Sequence, residues 1–299
     1  MVARPNRRAT PNSHVPSAAG YAVQAMSPRI LGRVILAIDV GNTNMRVGLV
    51  RGGDVTAARR APTRSNKTAA QLAVTITALL AEDGAALSDV DSIFVASVVP
   101  KVAAALQELA TEHGIRFVSA DHTTVPIAVR VDNPAAVGND RLVNAYAAGL
   151  LHGMPAIVID LGTATTLDVV APDGAFLGGA IAPGLGLGLE ALVEHTAQLP
   201  QVTLEVPDKA IGTDTVSAML SGAVLGYFGL VKELVRRIRA EMGAAKPKVV
   251  LTGGLSALSW AQSIPSVDII DPLLTLRGLA LLERELAARP KQPKVPASA

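Results

Sequence analysis

The sequence contains no cysteine and no long uninterrupted apolar run. Without cysteine the chain forms neither disulfide bonds nor thiolate metal sites, which agrees with a cytoplasmic protein. No apolar run approaches the roughly 18 residues that indicate a membrane-spanning helix, so we expect no membrane span. The five histidines share no ligand spacing, and the sequence therefore suggests no zinc site.

Acidic residues are absent from the first 33 positions. The basic residues of this segment are Arg4, Arg7, Arg8, Arg29 and Arg33. Without them, 22 basic and 25 acidic residues remain, a net charge of −3 against +2 for the whole chain. The remainder therefore offers no basic surface for nucleic acid. We expect residues 1–33 to be a disordered extension or the product of a start codon assigned too far upstream, although a transit peptide has a similar composition.

Residues 35–50, ILAIDVGNTNMRVGLV, predict a buried strand, a tight turn and a returning strand. Gly41 allows an anion to approach the backbone closely, and the Thr43 hydroxyl can face a phosphate. Asp39, at the end of the first strand, is a candidate ligand of a metal ion. Taken alone, the same pattern also fits a plain β-hairpin.

A second copy of this pattern occupies residues 157–170, IVIDLGTATTLDVV. Asp160 lies 121 positions after Asp39, and Gly162 and Thr163 follow it as in the first copy. A repeat at domain spacing suggests a duplicated unit, each half offering a phosphate-facing turn to a shared cleft. This layout resembles that of the actin, hexokinase and Hsp70 superfamily, in which two such turns hold the phosphates of a nucleotide.

The remaining patterns predict alternating strands and helices. Before the second hairpin they predict a strand at 55–60, a helix capped by Ser65 or Asn66 and ending near 82, a strand at 92–99, a helix at 101–113, strands at 115–119 and 125–131, and a helix from Asp140. After it they predict a strand at 175–182, a helix at 187–198, and one long helix or two abutting ones at 213–242. The last predicted elements are a strand at 248–252, a helix near 256–263, a strand at 266–270 and a helix at 273–288. A meander followed by alternating elements is similar to the ribonuclease-H-like lobe of that superfamily.

We therefore predict an α/β fold of two ribonuclease-H-like lobes, as in the actin-like superfamily, with a nucleotide cleft between them. The predicted lobes are 34–133 and 134–288, flanked by the extension 1–33 and a disordered tail, 289–299.

Two further motifs lie at predicted helix starts. An aspartate at position 140 has a purely structural explanation, because it satisfies free amides and the helix dipole in a first turn. The stretch 183–188, PGLGLG, has the glycine pattern of a dinucleotide-binding loop but lacks the spacing and the acidic residue of one. We interpret it as the start of a helix.

Seven motifs in order resemble the type III pantothenate kinases, bacterial enzymes that phosphorylate vitamin B5, and the resemblance covers about 34–285. The motifs are Asp39-Val40-Gly41-Asn42-Thr43-Asn44; Asn133-Pro134 with Gly138-Asn139-Asp140-Arg141; Asp160-Leu161-Gly162-Thr163-Ala164-Thr165-Thr166; Gly178-Gly179-Ala180-Ile181-Ala182-Pro183-Gly184; Ile211-Gly212 with Thr215; Thr252-Gly253-Gly254; and Asp271-Pro272 with Leu274-Thr275-Leu276-Arg277-Gly278-Leu279.

The resemblance implies a role for each matched position. It implies a catalytic base at Asp140, a monovalent cation (K⁺ or NH₄⁺) at Asp160 and Mg²⁺ near Asp39. The implied ATP-binding residues are Asp39, Val40, Gly41, Asn42, Thr43, Asn44, Met45, Arg46 and Thr163. The implied pantothenate-binding residues are Val131, Gly138, Asn139, Asp140, Arg141 and Thr215. The family also implies a homodimer, which we expect to form through the apolar helices at 141–152 and 217–230.

Two positions depart from the family pattern. Val131 stands where the family commonly has an aromatic residue, and Asn139 stands where it usually has a small one. A kinase of another small hydroxy acid is therefore an alternative. A second alternative is a non-catalytic ATP-binding regulator, because some relatives were first noticed as accessory factors for transcription. The intact Asp39, Asp140 and Asp160 favour catalysis.

Overall fold

The computed structural model describes residues 32–289, which form two five-stranded sheets. The predictions for residues 1–31 and 290–299 lie outside this range. The strands are β1 Val34–Val40, β2 Asn44–Arg51, β3 Asp54–Pro62, β4 Ser92–Ser97, β5 Arg116–Ser119, β6 Ala156–Leu161, β7 Ala164–Val170, β8 Phe176–Pro183, β9 Lys248–Thr252 and β10 Ile269–Ile270.

The two sheets have the same topology. The first has the order β3-β2-β1-β4-β5, and the second has the order β8-β7-β6-β9-β10 when it is read from the equivalent edge. In each sheet the first three strands are antiparallel neighbours, and the last two pair in parallel. The predicted α/β fold of two ribonuclease-H-like lobes is therefore confirmed, and the sequence repeat is a duplicated sheet.

Helices cover both faces of each sheet or fill the space between the sheets. They are α1 Ala69–Ala81, α2 Pro100–Glu112, α3 Asn139–His152, α4 Leu185–Glu194, α5 Thr215–Leu220, α6 Gly226–Glu241 and α7 Leu274–Ala288. Helices α1 and α2 pack their apolar stripes on the outer face of the first sheet, and α6 packs on the outer face of the second.

Helices α3 and α7 form the inner layer between the sheets. Along α3 every residue from Leu142 to Gly149 is buried, and α3 and α7 share one core cluster with residues of both sheets. Gly278 allows the two helices to cross closely, because a Cβ there would lie 2.6 Å from Val143 Cγ1. The expectation that helix 141–152 forms a subunit interface is therefore wrong, because the apolar face of α3 is already covered within the chain.

The last helix belongs spatially to the first sheet. Although α7 follows the second sheet in the chain, it packs against β1, and Gly48 of β2 leaves room for Leu276. The lobe boundaries at 133/134 and 288/289 stay predictions.

Several predicted elements differ from the structure. The first helix is capped by Thr68, whose hydroxyl accepts from the Gln71 amide, and not by Ser65 or Asn66. The segment 125–131 makes only an isolated bridge through Val129, since Pro126 has no amide to donate. The helix near 256–263 is a single 3₁₀ turn, Ser259–Ser263.

One more strand differs in extent from its prediction, and a helical prediction that left two alternatives open is resolved. The strand expected at 266–270 is confined to β10, because Ser266 adopts a positive φ of 70° that interrupts extended backbone. Residues 213–242 were expected to form one long helix or two abutting ones, and they form two, α5 and α6, joined by a π-helical turn, Ser221–Leu225. Within the described residues, the helical stretch Thr215–Glu241 is long and apolar enough to cross a membrane by length and composition alone, which is weak evidence. Its buried side chains pack on the second sheet.

Candidate active site

The turns of the two repeated hairpins meet at the mouth of the cleft between the sheets. The hydroxyls of Thr43, after β1, and Thr163, after β6, are 2.8 Å apart and hydrogen-bonded. Both turns are exposed, and the amides of Gly41 and Gly162 close them by donating to the Asn44 and Ala164 carbonyls. The sequence predicted that the two turns face a common cleft, and the structure brings them together.

Three carboxylates approach one another just inside these turns. Burial, together with the negative charges of Asp140 and Asp160, raises the pKa of Asp39 to about 8, while the charge of Arg46 opposes the rise. Burial raises the pKa of Asp160 to about 6, with Asp140 contributing and the Asn144 hydrogen bond opposing. Burial also raises the pKa of Asp140 above its ordinary value, against the hydrogen bond from the Arg141 amide. The cleft therefore concentrates negative charge where a cation would relieve it.

Asp160 is held by a chain of buried polar groups. Its Oδ2 accepts from Asn144 Nδ2 at 2.9 Å, and Asn144 Oδ1 accepts from the Thr275 hydroxyl at 2.7 Å. This chain joins β6 to α3 and α7, so the inner helices fix the carboxylate. Gly253, with φ of 95°, lets the end of β9 pass Asp160, because a Cβ there would lie 2.3 Å from Oδ1. The backbone after β9 can therefore lie directly against Asp160 because residue 253 has no side chain.

Arg46 connects the first lobe to the second. It stands opposite Asp39 in the β1–β2 register. Its Nη1 donates to the Pro272 carbonyl at 2.7 Å and its Nη2 donates to the Gly253 carbonyl at 3.1 Å. Arg46 was predicted to contact ATP. Its guanidinium donates to backbone carbonyls of the second lobe, and the side chain closes the cleft on the side of Asp39.

The predicted substrate loop lies at the start of α3. Gly138 is the N-cap residue and makes no side-chain capping bond, and Asp140 Oδ1 accepts from the Arg141 amide at 2.8 Å. A side chain at Gly138 would place Cβ 2.8 Å from Asp140 Oδ1, so glycine leaves space for that carboxylate. Asn139 donates to the Ser97 carbonyl at 3.3 Å and ties the loop to the end of β4. Asp140 therefore lies in the first turn and accepts a hydrogen bond from a free amide there, as the structural explanation expects, while its charge also acts on Asp39 and Asp160 in the cleft.

Arg141 is held inside the second lobe. Its Nε donates to Asp168 Oδ1 at 2.6 Å, and its guanidinium carbon lies 5.6 Å from the centre of the Phe176 ring. Asp168 is fully buried, and its Oδ2 accepts from the Thr166 hydroxyl at 3.0 Å. Burial raises the pKa of Asp168 to about 7, and the charge and hydrogen bond of Arg141 oppose this rise.

The other predicted residues take varied positions. Val131 is partly buried beside Gly178 of β8. Val40 and Met45 are buried in the outer core of the first lobe, so only their backbone can face a nucleotide. Thr215 is exposed at the start of α5, and no hydrogen bond joins it to the other predicted site residues within 32–289. These role assignments stay predictions.

Asn144 and Asp168 are functional candidates that the sequence reading did not single out. Asp168 lies in β7 on the same face as Val170, which packs in the inner core. An acid at an inward position of a strand is a signal that could have been noticed. Asn144 lies among apolar residues of α3, one turn after Asp140, and a polar residue on a buried helix face carries the same signal.

The donors in this cleft suit hard cations. Asp39 and Asp160 offer carboxylate oxygens, and among residues 32–289 no three His, Cys, Asp or Glu side chains form a complete metal site. A cation here would complete its shell with phosphate or water oxygens, as Mg²⁺ commonly does. A separate cavity of about 970 Å³, on the first lobe beside α1, contains none of the predicted site residues.

Comparison with known proteins identifies similar sequences of one family. The sequence profile of a family described as type III pantothenate kinase matches residues 35–237. A type III pantothenate kinase of Sphingopyxis alaskensis is 44% identical over 253 residues, which are 82% of this chain and 96% of that protein. One from Phenylobacterium zucineum is 41% identical over 258 residues, 86% of this chain and 100% of that protein.

Solved structures show the same fold at lower identity. A Campylobacter jejuni protein described as a Baf family transcriptional activator superimposes with a TM-score of 0.55 at 19% identity, covering 84% of this chain and 98% of that one. A likeness at this identity concerns the fold alone. The stretch matched by the family profile contains every predicted site residue from Asp39 to Thr215.

Proposed function

The chain belongs to the type III pantothenate kinase family, and from this membership we propose how its two lobes divide the work of the reaction. The reaction is the ATP-dependent phosphorylation of pantothenate, the first step of coenzyme A synthesis. The observation that supports the proposal is the convergence of Asp39, Asp140 and Asp160 beneath the hydrogen-bonded turns of Thr43 and Thr163.

Asp140 is the general base. Its carboxylate accepts the proton of the primary hydroxyl of pantothenate, the hydroxyl oxygen bonds to the γ-phosphorus of ATP, and the bond from that phosphorus to the β–γ bridging oxygen breaks to release ADP. Burial raises the pKa of Asp140, which makes its carboxylate a stronger base near neutral pH than an ordinary aspartate. Phosphoryl transfer depends mainly on positioning and charge neutralisation, so this base assists alignment by the two lobes.

The two repeated turns hold ATP. The backbone of Gly41 to Asn44 and the hydroxyls of Thr43 and Thr163 approach its phosphates at the cleft mouth, where Asn42, Thr43 and Thr163 are exposed and the Gly41 amide closes the turn on the Asn44 carbonyl. Val40 and Met45 contribute backbone only, since their side chains lie in the core. Gly138, Asn139 and Arg141, with Val131 and Thr215, contact pantothenate.

Two carboxylates hold cations. Burial, followed by the negative charge of Asp140, raises the pKa values of Asp39 and Asp160, which fits sites where a bound cation would stabilise the ionised carboxylates. Asp39 would hold Mg²⁺ with the ATP phosphates, and Asp160 would hold K⁺ or NH₄⁺. When bound, these cations neutralise charge on the phosphates during transfer. The Asn144–Thr275 chain orients Asp160 for this purpose.

The chain forms a two-fold homodimer through the face of α5 and α6. Gly222, Gly226 and Gly229 share one helix face, and no described atom lies within 4 Å of a Cβ built on any of them. Exposed apolar side chains in the same half of the molecule are Ile181, Leu187, Leu192, Ile211 and Val216. Light scattering at micromolar concentration should give the mass of two chains, and the mass of one chain would refute the dimer.

The proposed location is the cytoplasm, where ATP and the substrates of coenzyme A synthesis are found. We expect neither nucleic acid nor a membrane as a partner, because the chain beyond position 33 has a net charge of −3.

Turnover by the purified chain tests the proposed function. ADP release should require pantothenate, Mg²⁺ and K⁺ together, and phosphopantothenate should accumulate in equal amount. ADP release with a different hydroxy acid only would favour the alternative suggested by Val131. ATP binding without turnover under any of these conditions would favour a regulatory protein.

A further inference from the structure

Asp168 is a buried acid that the reaction outlined above does not use. Its side chain has no exposed surface, and both of its oxygens are engaged, one with Arg141 Nε and the other with the Thr166 hydroxyl. A buried carboxylate is costly unless it is paired and hydrogen-bonded, and a pair of this kind is weak evidence of stability by itself. The position of its partner suggests a reason for its presence.

Arg141 is held at one end and free at the other. Its Nε donates a hydrogen bond to Asp168, and its guanidinium carbon lies over the ring of Phe176. Neither Nη1 nor Nη2 donates a hydrogen bond to any residue in the described range 32–289. The two terminal amino groups of a guanidinium form a fork that matches the two oxygens of a carboxylate.

The strand register places Asp168, which holds this guanidinium fork, away from the phosphate turns. Asp160 pairs with Thr166, whereas Asp168 pairs with Val158, two residues further from the Gly162 turn. At about 3.4 Å per residue, this is a separation of about 7 Å along the sheet. Pantothenate carries its reacting hydroxyl at one end and its carboxylate at the other, so a hydroxyl near Asp140 leaves the carboxylate at the far end of the cleft.

We propose that Asp168 is a positioning residue that fixes Arg141 so that its Nη groups bind the carboxylate of pantothenate. The inference rests on the proposed function, because it assumes that substrate. Asp168 acts only through Arg141, and it contributes to the binding of the acid and not to the transfer of phosphate. A merely structural pair would join α3 to β7 without regard to the substrate's charge.

The test is the steady-state kinetics of Asp168→Asn in the full chain with ATP, Mg²⁺ and K⁺. Asparagine keeps the shape of the side chain but removes the charge that orients Nε. The KM for pantothenate should rise about tenfold or more, which corresponds to one charge-assisted contact, and kcat and the KM for ATP should stay within a few-fold. Asp83→Asn is the matched control, because Asp83 also accepts from an arginine Nε, that of Arg59, but on the first lobe. It should leave all three constants unchanged.

The primary amide of pantothenate separates positioning from structure, because it lacks the carboxylate. In the wild type its KM should already exceed that of the acid, and Asp168→Asn should change it less than twofold. Should Asp168→Asn fail to fold, Thr166→Val removes one hydrogen bond from the same carboxylate, and it should raise the KM for the acid two- to fivefold with the amide unaffected.

An unchanged KM for the acid, or an equal rise for acid and amide, would overturn the inference while the proposed function stands. Absence of pantothenate-dependent turnover in the wild type would overturn the proposed function and this inference together.

Discussion

The two repeated hairpins have the same backbone plan but different charges across the strand pair. Asp39 at the end of β1 stands opposite Arg46, whereas Asp160 at the end of β6 stands opposite Thr166 and accepts a hydrogen bond from Asn144. The pKa of Asp39 rises to about 8 and that of Asp160 to about 6. Duplication therefore fixed where each carboxylate lies. Burial is the main reason that both pKa values are raised; the charge of Asp160 adds to the rise at Asp39, and the Asn144 hydrogen bond limits the rise at Asp160.

The copies also differ in what they offer to the other lobe. From the first, Arg46 reaches across the cleft to two backbone carbonyls of the second lobe. In the second, Asp168 turns inward and holds Arg141. The first hairpin thus closes the cleft, and the second forms the wall on which we place pantothenate.

Removing the acid that lies between the two hairpins should have the largest effect. Asp140→Asn keeps the shape of the side chain and removes the base, so kcat should fall by roughly 10²–10⁴-fold. ATP binding, measured by calorimetry, should change little. The matched control is Thr68→Ala, which removes a true helix cap, costs about 1 kcal/mol of folding free energy and spares kcat. An Asp140→Asn protein that unfolds but keeps its turnover per folded molecule would support the structural explanation instead.

The different carboxylate environments should give the hairpins different cation responses. Asp160→Ala should lower kcat roughly tenfold or more, because one charged contact to the cation is lost. The variant should also lose the preference for K⁺ over Na⁺. Asp39→Asn should weaken the response to Mg²⁺ and keep that preference. Rates are compared in potassium and sodium buffers. Equal wild-type rates in the two buffers would reject the assignment of Asp160.

Cutting the connection between the hairpins should affect stability. Arg46→Met removes two hydrogen bonds from a charged donor, each worth about 1.5–3 kcal/mol, so the melting temperature should fall by at least about 5 °C. Arg59→Met, which removes a partly exposed ion pair within the first lobe, should shift it by no more than about 2 °C. Equal shifts for the two variants in a thermal melt would show that Arg46 does not hold the lobes together.

The smallest effect is expected at Val131, beside the second hairpin. Val131 is only partly buried, and Gly178 next to it presents no side chain, so part of the Val131 surface faces away from the core. Val131→Tyr should add about 1–2 kcal/mol of apolar contact and lower the KM for pantothenate roughly five- to thirtyfold. The kcat should stay within a few-fold, because the ring would contact substrate and transition state alike. A higher KM would show that another side chain already fills this space.

The sequence was sufficient for the features that a local pattern encodes. Asp39 and Asp160 each end an apolar strand before a glycine turn, and both were found because the pattern occurs twice. The duplicated topology followed from the same repeat. Helix boundaries were less certain, since Thr68 competes with Ser65 and Asn66 as a cap and only the packing of α1 decides among them.

Contacts between distant segments could not be read from the chain. Arg46 meets Pro272, Asp168 meets Arg141, and Asn144 lies between Asp160 and Thr275, each only after both lobes have folded. The burial of helix 141–152 was missed for the same reason, because an apolar helix looks alike whether its cover is another subunit or α7.

Helix α7 has a consequence for the order in which the protein is made. The first sheet is complete once β5 has been synthesised, yet the helix that covers its inner face is Leu274–Ala288, close to the end of the chain. Its buried Glu283 pairs with Arg33, just before β1. On the ribosome the first lobe must therefore wait with an uncovered apolar face while the whole second sheet emerges. We therefore expect the lobe that is translated first to finish folding last.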